Sequence, residues 1–523
     1  MIKVPACFEL IKAMSKPEKI HFKKYLHFKI RKGEPTIYFK LFDELDSQKT
    51  YSLKKIKDKF ASQNFIKHLA TSYNYLYNHL LKSLRDYNSD KKDEVVARDM
   101  LFEVKLLIEK RLLKQAKHQL KRAKKYIEER ELYNILYELG GLEHELCVIE
   151  MTDDQFTLIL AINRKRRDYL RKLIDELDIF KAANTLFDIL QNPDYKGDKI
   201  ADARFSIDEL NSFKDAIEGA TIRTKTYYFH GIMNYYTLNN QPLKELEVSR
   251  ALLEIWINVP KNLKYSAVTF SIVIFNHLSA CKNQFNADEI LSYLPTLDKV
   301  VKLQADLKHK CQVIENHFGI YAYYLKNQID EVESIILNYK LDYAHLLKRN
   351  VPFYKVIIIN DFIQYFFFKN DFDNCLNYVN QLLSLKLPES LQENHLKARM
   401  IEIICHYELE NNYLLDSLIK STRRLINKKE VLEKSDYIKL EFLKHFAKVS
   451  TLIDSKHKKY WQTTALNENF ILDTEIDKSV LILFAWHKSH MSNSNIYEQW
   501  KLLVENYKAW FITTFKLTQQ LSS

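Results

Sequence analysis

The chain contains 523 residues and has a formal net charge of +12, with 46% hydrophobic residues but only 7 Gly and 9 Pro. The hydrophobic fraction suffices for a core and argues against a globally disordered chain. The shortage of turn residues argues against sandwiches, barrels, doubly wound sheets and glycine-rich loops that cradle phosphate. The composition favours an all-α fold in which helix pairs are joined by short polar turns.

The positive charge is concentrated near the N-terminus. Residues 1–92 contain 20 Lys and Arg against 9 Asp and Glu, whereas residues 93–172 contain 17 against 15. The rest of the chain is close to neutral. An anionic partner, if there is one, is therefore expected to bind the first 92 residues.

Six cysteines are spread along the chain without close pairs. In a chain of this length, that spacing is typical of reduced, buried thiols and not of a disulfide framework. The first residues show no signal-peptide pattern, and no apolar run approaches the length of a membrane span. The sequence therefore predicts a cytoplasmic protein without a membrane span.

The first 90 residues predict a basic N-terminal cap or a small helical domain. Ser15-Lys16-Pro17-Glu18 is a favourable helix start, because its serine can cap the helix and its glutamate can complete a capping box. Further helices are predicted over about Thr36–Leu45, from about Ser52, and over about Asn64–Tyr87. The last of these has a stripe of Leu and Tyr on one face, which is expected to be buried.

The short helix that begins near Ser52, followed by the long one, resembles a helix-turn-helix. Its lysines are candidate nucleic-acid contacts: Lys54, Lys55, Lys57 and Lys59. However, the long helix exceeds the usual length of a recognition helix, and terminal repeats of helical arrays are often polar on their outer side. A solvated lysine face on a terminal cap is therefore favoured, with nucleic-acid binding as the alternative.

Divergent helical hairpins are predicted over residues 94–190, after a polar linker at residues 88–93. The first hairpin pairs Val95–Glu109 with Leu112–Glu128. In the next helix, Gly140-Gly141 indicates a kink or a close contact with another helix.

A basic block lies in a helix predicted over residues 155–177. It is a second candidate anion site, although a solvated helix face is the favoured interpretation. The block consists of Arg164, Lys165, Arg166 and Arg167. A separate helix is predicted over residues 179–190, and the turn-rich residues 192–198 are predicted to join two halves of the chain.

A recurring polar join marks residues 200–430. Each copy follows an aromatic-rich helical run, and its marker residues are Asn240, Asn283, Asn327, Asn370 and Asn411. The markers are 43, 44, 43 and 41 residues apart, and a near-constant step is typical of stacked helical hairpins. Asn suits the left-handed or capping geometry expected where one helix ends and the next begins.

The array over about Thr224–Asn427 resembles the tetratricopeptide-type helical-repeat superfamily. Gly231 with Tyr235, and Gly319 with Tyr323, match the small residue and nearby aromatic of that family's first helices. The step is longer than the family's usual length of about 34 residues. The resemblance implies an α-solenoid of antiparallel helical hairpins, wound as a right-handed superhelix with a concave groove that binds other proteins.

Residues 431–523 are predicted to form C-terminal helical repeats and a cap. The final helix, about Tyr497–Leu517, carries four large side chains along one side, which indicates a buried face. These are Trp500, Leu503, Tyr507 and Trp510.

No motif for catalysis or cofactor binding is recognised in the sequence. Glu402 and His406 lie four residues apart beside Cys405, a spacing that could provide half of a metal site, although an ordinary helical ion pair is favoured. The sequence therefore predicts no catalytic residue, no metal and no cofactor.

The function predicted from the sequence is a non-catalytic scaffold or adaptor that binds a protein or peptide in the concave groove. Tyr side chains on the inner helices are candidate contacts, because Tyr is favoured at interface hot spots, and some of them are expected to have a role in the core as well. These candidates are Tyr227, Tyr228, Tyr235, Tyr321, Tyr323 and Tyr324. The alternative is a nucleic-acid-binding regulator that uses the basic N-terminal helices.

Overall fold

A computed structural model describes residues 4–29, 35–88, 93–151, 153–192, 195, 197–259, 266–429, 432, 434–449, 460–461 and 480–522. Every regular element in these ranges is helical, so the predicted all-α class is confirmed. None of the described helices is both long and apolar enough to cross a membrane. The chain divides into two compact units, Met1–Leu173 and Ile174–Ser523.

The first unit begins with five helices around their own apolar core. Their bounds are α1 Ala6–Ala13, α2 Lys16–Lys29, α3 Pro35–Ser47, α4 Leu53–Lys59 and α5 Leu69–Asn88, with a 3-10 turn at Asn64–His68 before α5. The predicted capping box is confirmed, because the Ser15 N–H donates to the Glu18 carboxylate at 2.7 Å and the Glu18 N–H donates to Ser15 Oγ at 3.4 Å. The predicted stripe on α5 is also buried, through Tyr73, Leu76 and Leu80.

Four longer helices follow: α6 Asp93–Glu109, α7 Leu113–Glu128, α8 Tyr133–Glu150 and α9 Gln155–Gln191. The two helices predicted over residues 155–190 are one helix of 37 residues, because no Gly or Pro interrupts them. The boundary between the two units falls within α9 and not at the turn-rich residues 192–198. The close contact predicted at Gly140 is present, since a Cβ there would lie 2.7 Å from Arg166 Cγ.

The second unit continues with helix pairs that pack on their neighbours along the chain. The helices are α10 Lys199–Ser212, α11 Ile222–Leu238, α12 Pro242–Ile257, α13 Ala267–Asn283, α14 Ala287–Tyr293, α15 Leu297–Leu303, α16 Lys308–Leu325, α17 Ile329–Arg349, α18 Pro352–Phe368, α19 Phe372–Ser384, α20 Glu393–Glu408, α21 Asn412–Asn427, α22 Lys434–Val449, α23 Leu481–Ser492 and α24 Ile496–Ser522. The helices α14 and α15 are separated by a 3-10 turn at Leu294–Thr296 that contains Pro295. One apolar core runs from α12 to α24.

The recurring join is a left-handed turn of the Schellman type. At the third join, Asn327 has φ +58°, and the Gln328 N–H donates to the Tyr323 carbonyl at 2.9 Å, which satisfies a carbonyl at the end of α16. The same arrangement occurs at all five joins. The residues with positive φ are Asn240, Phe285, Asn327, Asn370 and Glu410.

The prediction that the marker Asn takes a left-handed or capping position is confirmed at four joins, where Asn240, Asn327 and Asn370 are left-handed and Asn411 is the N-cap residue of α21, and it is wrong at Asn283. Asn283 is the last residue of α13, and Asn411 precedes α21, so Phe285 and Glu410 take the left-handed conformation instead. The hydrogen bonds at the helix end determine which residue is left-handed, and residue type adds only a preference.

The C-terminal helix α24 packs far from its neighbours in sequence. Its predicted face is buried through Trp500, Leu503 and Tyr507, whereas the side chain of Trp510 lies outside the described residues. Instead of covering only the last repeat, α24 reaches back to α16, where the Tyr497 hydroxyl donates to the Tyr324 carbonyl at 2.7 Å. It also packs on α18.

Candidate binding cavity

The second unit contains a cavity of about 580 Å³, a volume typical of ligand sites. It is bounded by the first helices of successive pairs, α13, α16, α18 and α20, and it is closed in part by α22, α23 and α24. Much of its wall is apolar, with contributions that include Phe285, Phe353, Ile357, Ile401, Leu483 and Trp500.

Six carboxamide side chains line the same cavity. Three lie at the joins, two on α18 and one at the start of α20: Asn240, Gln241, Asn283, Asn360, Gln364 and Asn394. Asn360 donates to Asn394 at 3.4 Å, which links α18 to α20. Each carboxamide supplies both donors and an acceptor, so the wall can bind groups of either kind.

Lys282, His317 and Asp361 form a hydrogen-bonded chain on the cavity wall. His317 Nδ1 lies 2.6 Å from Asp361 Oδ1, and His317 Nε2 lies 3.0 Å from Lys282 Nζ. Because an ammonium only donates, Nε2 accepts from Lys282 and the ring proton on Nδ1 is donated to Asp361. Burial lowers the pKa of His317, the charge of Lys282 lowers it further, and Asp361 opposes both effects. His317 is therefore neutral near pH 7.

Two acceptors on the cavity wall lack donors among the described residues. They are Asp361 Oδ2, in a side chain that is 3% exposed, and Gln241 Oε1. An unpaired buried acceptor costs about 1–3 kcal/mol. Both atoms are inaccessible to a water molecule, so an occupant of the cavity could donate to either of them only after the side chain rotates.

The His317–Asp361 pair resembles the orienting part of a general base, but its surroundings favour binding. Lys282 already occupies the Nε2 lone pair that a base would use to take a proton from a substrate. The hydroxyls that line this cavity belong to Thr237, Tyr321 and Tyr507, and His317 pairs with Lys282 and Asp361 instead of with any of them. Thr237 Oγ1 donates to the Met233 carbonyl at 3.0 Å. The arrangement can therefore hold a polar ligand, but it does not present an activated nucleophile.

The predicted groove aromatics have unequal positions. Tyr228, Tyr321 and Tyr324 are buried, at 7%, 8% and 2% exposure, which is the core role expected for some of these candidates. Tyr321 and Tyr324 pack against Trp500 of α24, and burial raises their pKa values above the ordinary range. Tyr321 still lines the cavity.

The other three candidate tyrosines are partly exposed and do not line the cavity. Tyr227 contacts the ring of Phe180, Tyr235 that of Tyr236, and Tyr323 packs beside the main core.

The predicted basic sites lie in the first unit and are mostly solvent-exposed. Lys54, Lys55 and Lys57 are exposed on α4, whereas Lys59 pairs with Glu44 at 2.6 Å. In the block on α9, Arg164, Lys165 and Arg167 are exposed.

Arg166 is the exception in this basic block. Its guanidinium lies 4.5 Å from the centre of the Tyr137 ring, and its side chain fills the space beside Gly140. Arg166 therefore packs α9 against α8, and three members of the predicted site remain on the surface.

The suggested half-site at Glu402 and His406 does not form an ion pair between these two residues. Glu402 accepts from Arg399 at 2.7 Å, while His406 contacts the Asn411 carboxamide at 3.3 Å. Burial lowers the pKa of His406, and the charge of Glu402 opposes this effect.

Sequence reasoning missed the central pair of the cavity, His317 and Asp361. They are 44 residues apart, close to one repeat step, and lie on the first helices of neighbouring pairs. A search for ionisable residues one step apart on first helices would have found them.

Comparison of the chain with protein-family models, with curated proteins and with solved structures gives no match. The resemblance to the tetratricopeptide-type superfamily therefore stays a prediction.

Proposed function

We propose that the second unit is a helical-repeat scaffold, a solenoid of antiparallel hairpins, which binds an extended peptide segment of a partner protein in its cavity. The observation that carries this proposal is the set of carboxamides on an otherwise largely apolar wall. Each peptide unit offers one N–H and one carbonyl, and a carboxamide side chain can pair with both.

The packing of the helices supports the solenoid part of the proposal. First helices pack on one another from α13 to α16 and from α16 to α18, and each also packs on the second helix of its own pair. First helices begin at Ile222, Ala267, Lys308, Pro352 and Glu393, at intervals close to the step of the sequence repeat. Such nearest-neighbour packing is what a stacked array uses to bury a continuous core.

The unpaired acceptors support a ligand that carries N–H groups. Once their side chains rotate, Asp361 Oδ2 and Gln241 Oε1 could each accept from a backbone amide or from a basic side chain of the peptide. The apolar part of the wall would bury side chains of the same segment, a combination typical of peptide recognition on rigid scaffolds.

Selection of displayed random peptides on the immobilised full-length chain tests the proposal. An enriched peptide is synthesised with a fluorescent label, and its dissociation constant is measured by polarisation. Asp361→Asn and Gln364→Ala are expected to weaken binding by about 5- to 150-fold, because a lost charge-assisted or amide hydrogen bond costs about 1–3 kcal/mol.

The matched control is Asn380→Ala, which removes an exposed carboxamide from α19 outside the cavity. Its affinity is expected to equal that of the wild type. If no peptide is enriched, or if the enriched peptides bind both cavity variants as tightly as the wild type, the cavity is not a peptide site.

Nucleic-acid binding by the first unit stays the alternative proposal. The observation that favours it is the exposure of Lys54, Lys55 and Lys57 on one short helix. It requires a different surface from the cavity, so the two proposals are tested independently.

A further inference from the structure

Three potential metal ligands converge in the second unit, outside the cavity wall. His277 and Cys281 lie four residues apart on α13, and Glu289 lies on α14. Their ligand atoms are all within 4.8 Å of one another, and both His277 and Cys281 are fully buried. In the part of the chain that the structure describes, no other such group of three or more is found.

The hydrogen bonds of His277 direct a lone pair towards this cluster. The Ser249 hydroxyl donates to the Leu246 carbonyl at 2.8 Å, so its oxygen accepts from His277 Nδ1 at 3.0 Å. The ring proton of the neutral imidazole is then on Nδ1, and Nε2 is left with its lone pair. Nε2 faces both Cys281 Sγ and Glu289 Oε1.

The distances from His277 Nε2 to the other two ligand atoms match those in a tetrahedral zinc site. Nε2 lies 3.5 Å from Cys281 Sγ and 3.4 Å from Glu289 Oε1. With Zn–N near 2.0 Å, Zn–S near 2.3 Å and Zn–O near 2.1 Å, a tetrahedral centre separates N from S by about 3.5 Å and N from O by about 3.4 Å. The distance between Cys281 Sγ and the Glu289 oxygen is at most 4.8 Å, against about 3.6 Å in the same tetrahedral centre, so one ion can bind all three atoms once these two side chains approach each other by up to about 1 Å.

The neighbouring residues hold the three side chains as an outer shell would. Ser249 fixes the orientation of His277, while Arg250 donates to both Glu289 oxygens at 2.7 and 2.9 Å. Asn286 donates to Glu289 Oε2 at 2.7 Å. Such partners orient ligating imidazoles and carboxylates in metal sites. The charge of Arg250 opposes a cation, but a thiolate and a carboxylate together outweigh it.

We propose that His277, Cys281 and Glu289 bind a zinc-class divalent ion that joins α13 to α14. Imidazole and thiolate ligands favour Zn²⁺ or Co²⁺ over Mg²⁺ or Ca²⁺. On binding, the Cys281 thiol proton passes to the buffer as the sulfur bonds to the ion. Three protein ligands leave the fourth position to water or to another exogenous ligand.

Titration of the chelator-treated full-length chain with Co²⁺ tests this site. One equivalent is expected to produce a thiolate-to-cobalt charge-transfer band and tetrahedral d–d bands, both removed by one equivalent of Zn²⁺. Cys281→Ser is expected to abolish the charge-transfer band. The matched control, Cys311→Ser, removes a buried cysteine of α16 and is expected to leave the spectrum unchanged.

X-ray absorption of the zinc-loaded wild type gives a readout that does not depend on any variant. One sulfur near 2.3 Å among nitrogen and oxygen ligands is expected. Absence of the cobalt bands in the wild type, persistence of the charge-transfer band in a folded Cys281→Ser variant, or a zinc shell without sulfur overturns the proposal. Peptide binding in the cavity can fail or succeed without affecting any of these results.

Discussion

Glu410 occupies the left-handed turn between α20 and α21, with φ +57°, and its side chain is exposed. For a residue with a Cβ this conformation costs about 1–2 kcal/mol. Glycine avoids that cost but loses about 0.5–1 kcal/mol more conformational entropy on folding. We therefore expect Glu410→Gly to raise the free energy of unfolding of the second unit by about 0.5–1 kcal/mol.

The assay is urea unfolding followed by tryptophan fluorescence. All five tryptophans of the chain lie at residue 256 or beyond, so the signal reports the second unit alone. Urea is preferable to heating, because about 1 kcal/mol moves the thermal transition of a unit of this size by only about 1–2 °C. The unfolding midpoint is expected to increase without a change in slope.

A reciprocal exchange separates backbone conformation from charge. Asn370 occupies the equivalent turn with φ +58° and is also exposed. Glu410→Asn is expected to stabilise the unit and Asn370→Glu to destabilise it, each by a few tenths of a kcal/mol, since Asn tolerates this region better. Glu410→Gln removes the charge and keeps the strain, so it should have little effect. If Glu410→Gln stabilises as much as Glu410→Gly, charge is the cause and the backbone argument fails.

Three further predictions concern packing, pH and charge. Gly231→Ala is expected to destabilise the second unit by about 1–3 kcal/mol, because a Cβ there would lie 2.6 Å from Leu210 Cδ1 and 3.2 Å from a backbone atom of α9. The control Gly319→Ala meets only ordinary contacts and should stabilise the unit by up to about 1 kcal/mol. Equal effects of the two substitutions in urea unfolding would contradict this reasoning. Burial lowers the pKa of His230 to about 4, so the unfolded chain takes up a proton as pH falls through 6.5 while the folded chain does not. About 2 kcal/mol of the free energy of unfolding is therefore lost by pH 5. His230→Gln should remove this pH-dependent loss, and an unchanged pH dependence of stability in the variant would refute the assignment. If the first unit binds nucleic acid, replacing Lys55 and Lys57 with Glu should reduce the slope of log affinity against log salt concentration, measured by polarisation, by about 0.9 per lost phosphate contact. An unchanged slope would exclude α4 as the contact surface.

Local features were the most predictable from the sequence. The capping box at Ser15 and Glu18 depends on four consecutive residues, and the stripe of Tyr73, Leu76 and Leu80 depends on helical spacing alone. The joins were located correctly, but at two of them the left-handed residue is not the marker Asn. It is Phe285 at one join and Glu410 at the other. An Asn near the join only favours the left-handed conformation, whereas the hydrogen bonds that end the helix determine which residue adopts it.

Packing between distant parts of the chain was not predictable in the same way. The contact of Tyr497 with Tyr324 joins residues 173 apart, and no local pattern in α24 indicates which earlier helices it covers. The burial of Tyr321 and Tyr324 follows from that contact. Aromatic residues on a first helix therefore predict a packed surface, but they do not reveal whether another protein or the chain itself covers it.

The repeat step itself provides information that residue types do not. Several polar contacts of the second unit join residues about one step apart: His317 with Asp361 at 44, Arg250 with Glu289 at 39 and Asn360 with Asn394 at 34 residues. In a stacked array, residues separated by one step lie on neighbouring hairpins and come into contact. Each contact joins two first helices or two second helices, so the scatter from 34 to 44 reflects where each residue lies along its own helix. A sequence that shows a step therefore restricts the candidate partners of a buried charge to about three helical turns on the neighbouring hairpin. That restriction is enough to suggest the His317–Asp361 pair without a structure, whereas the cavity around it depends on α24 and required one.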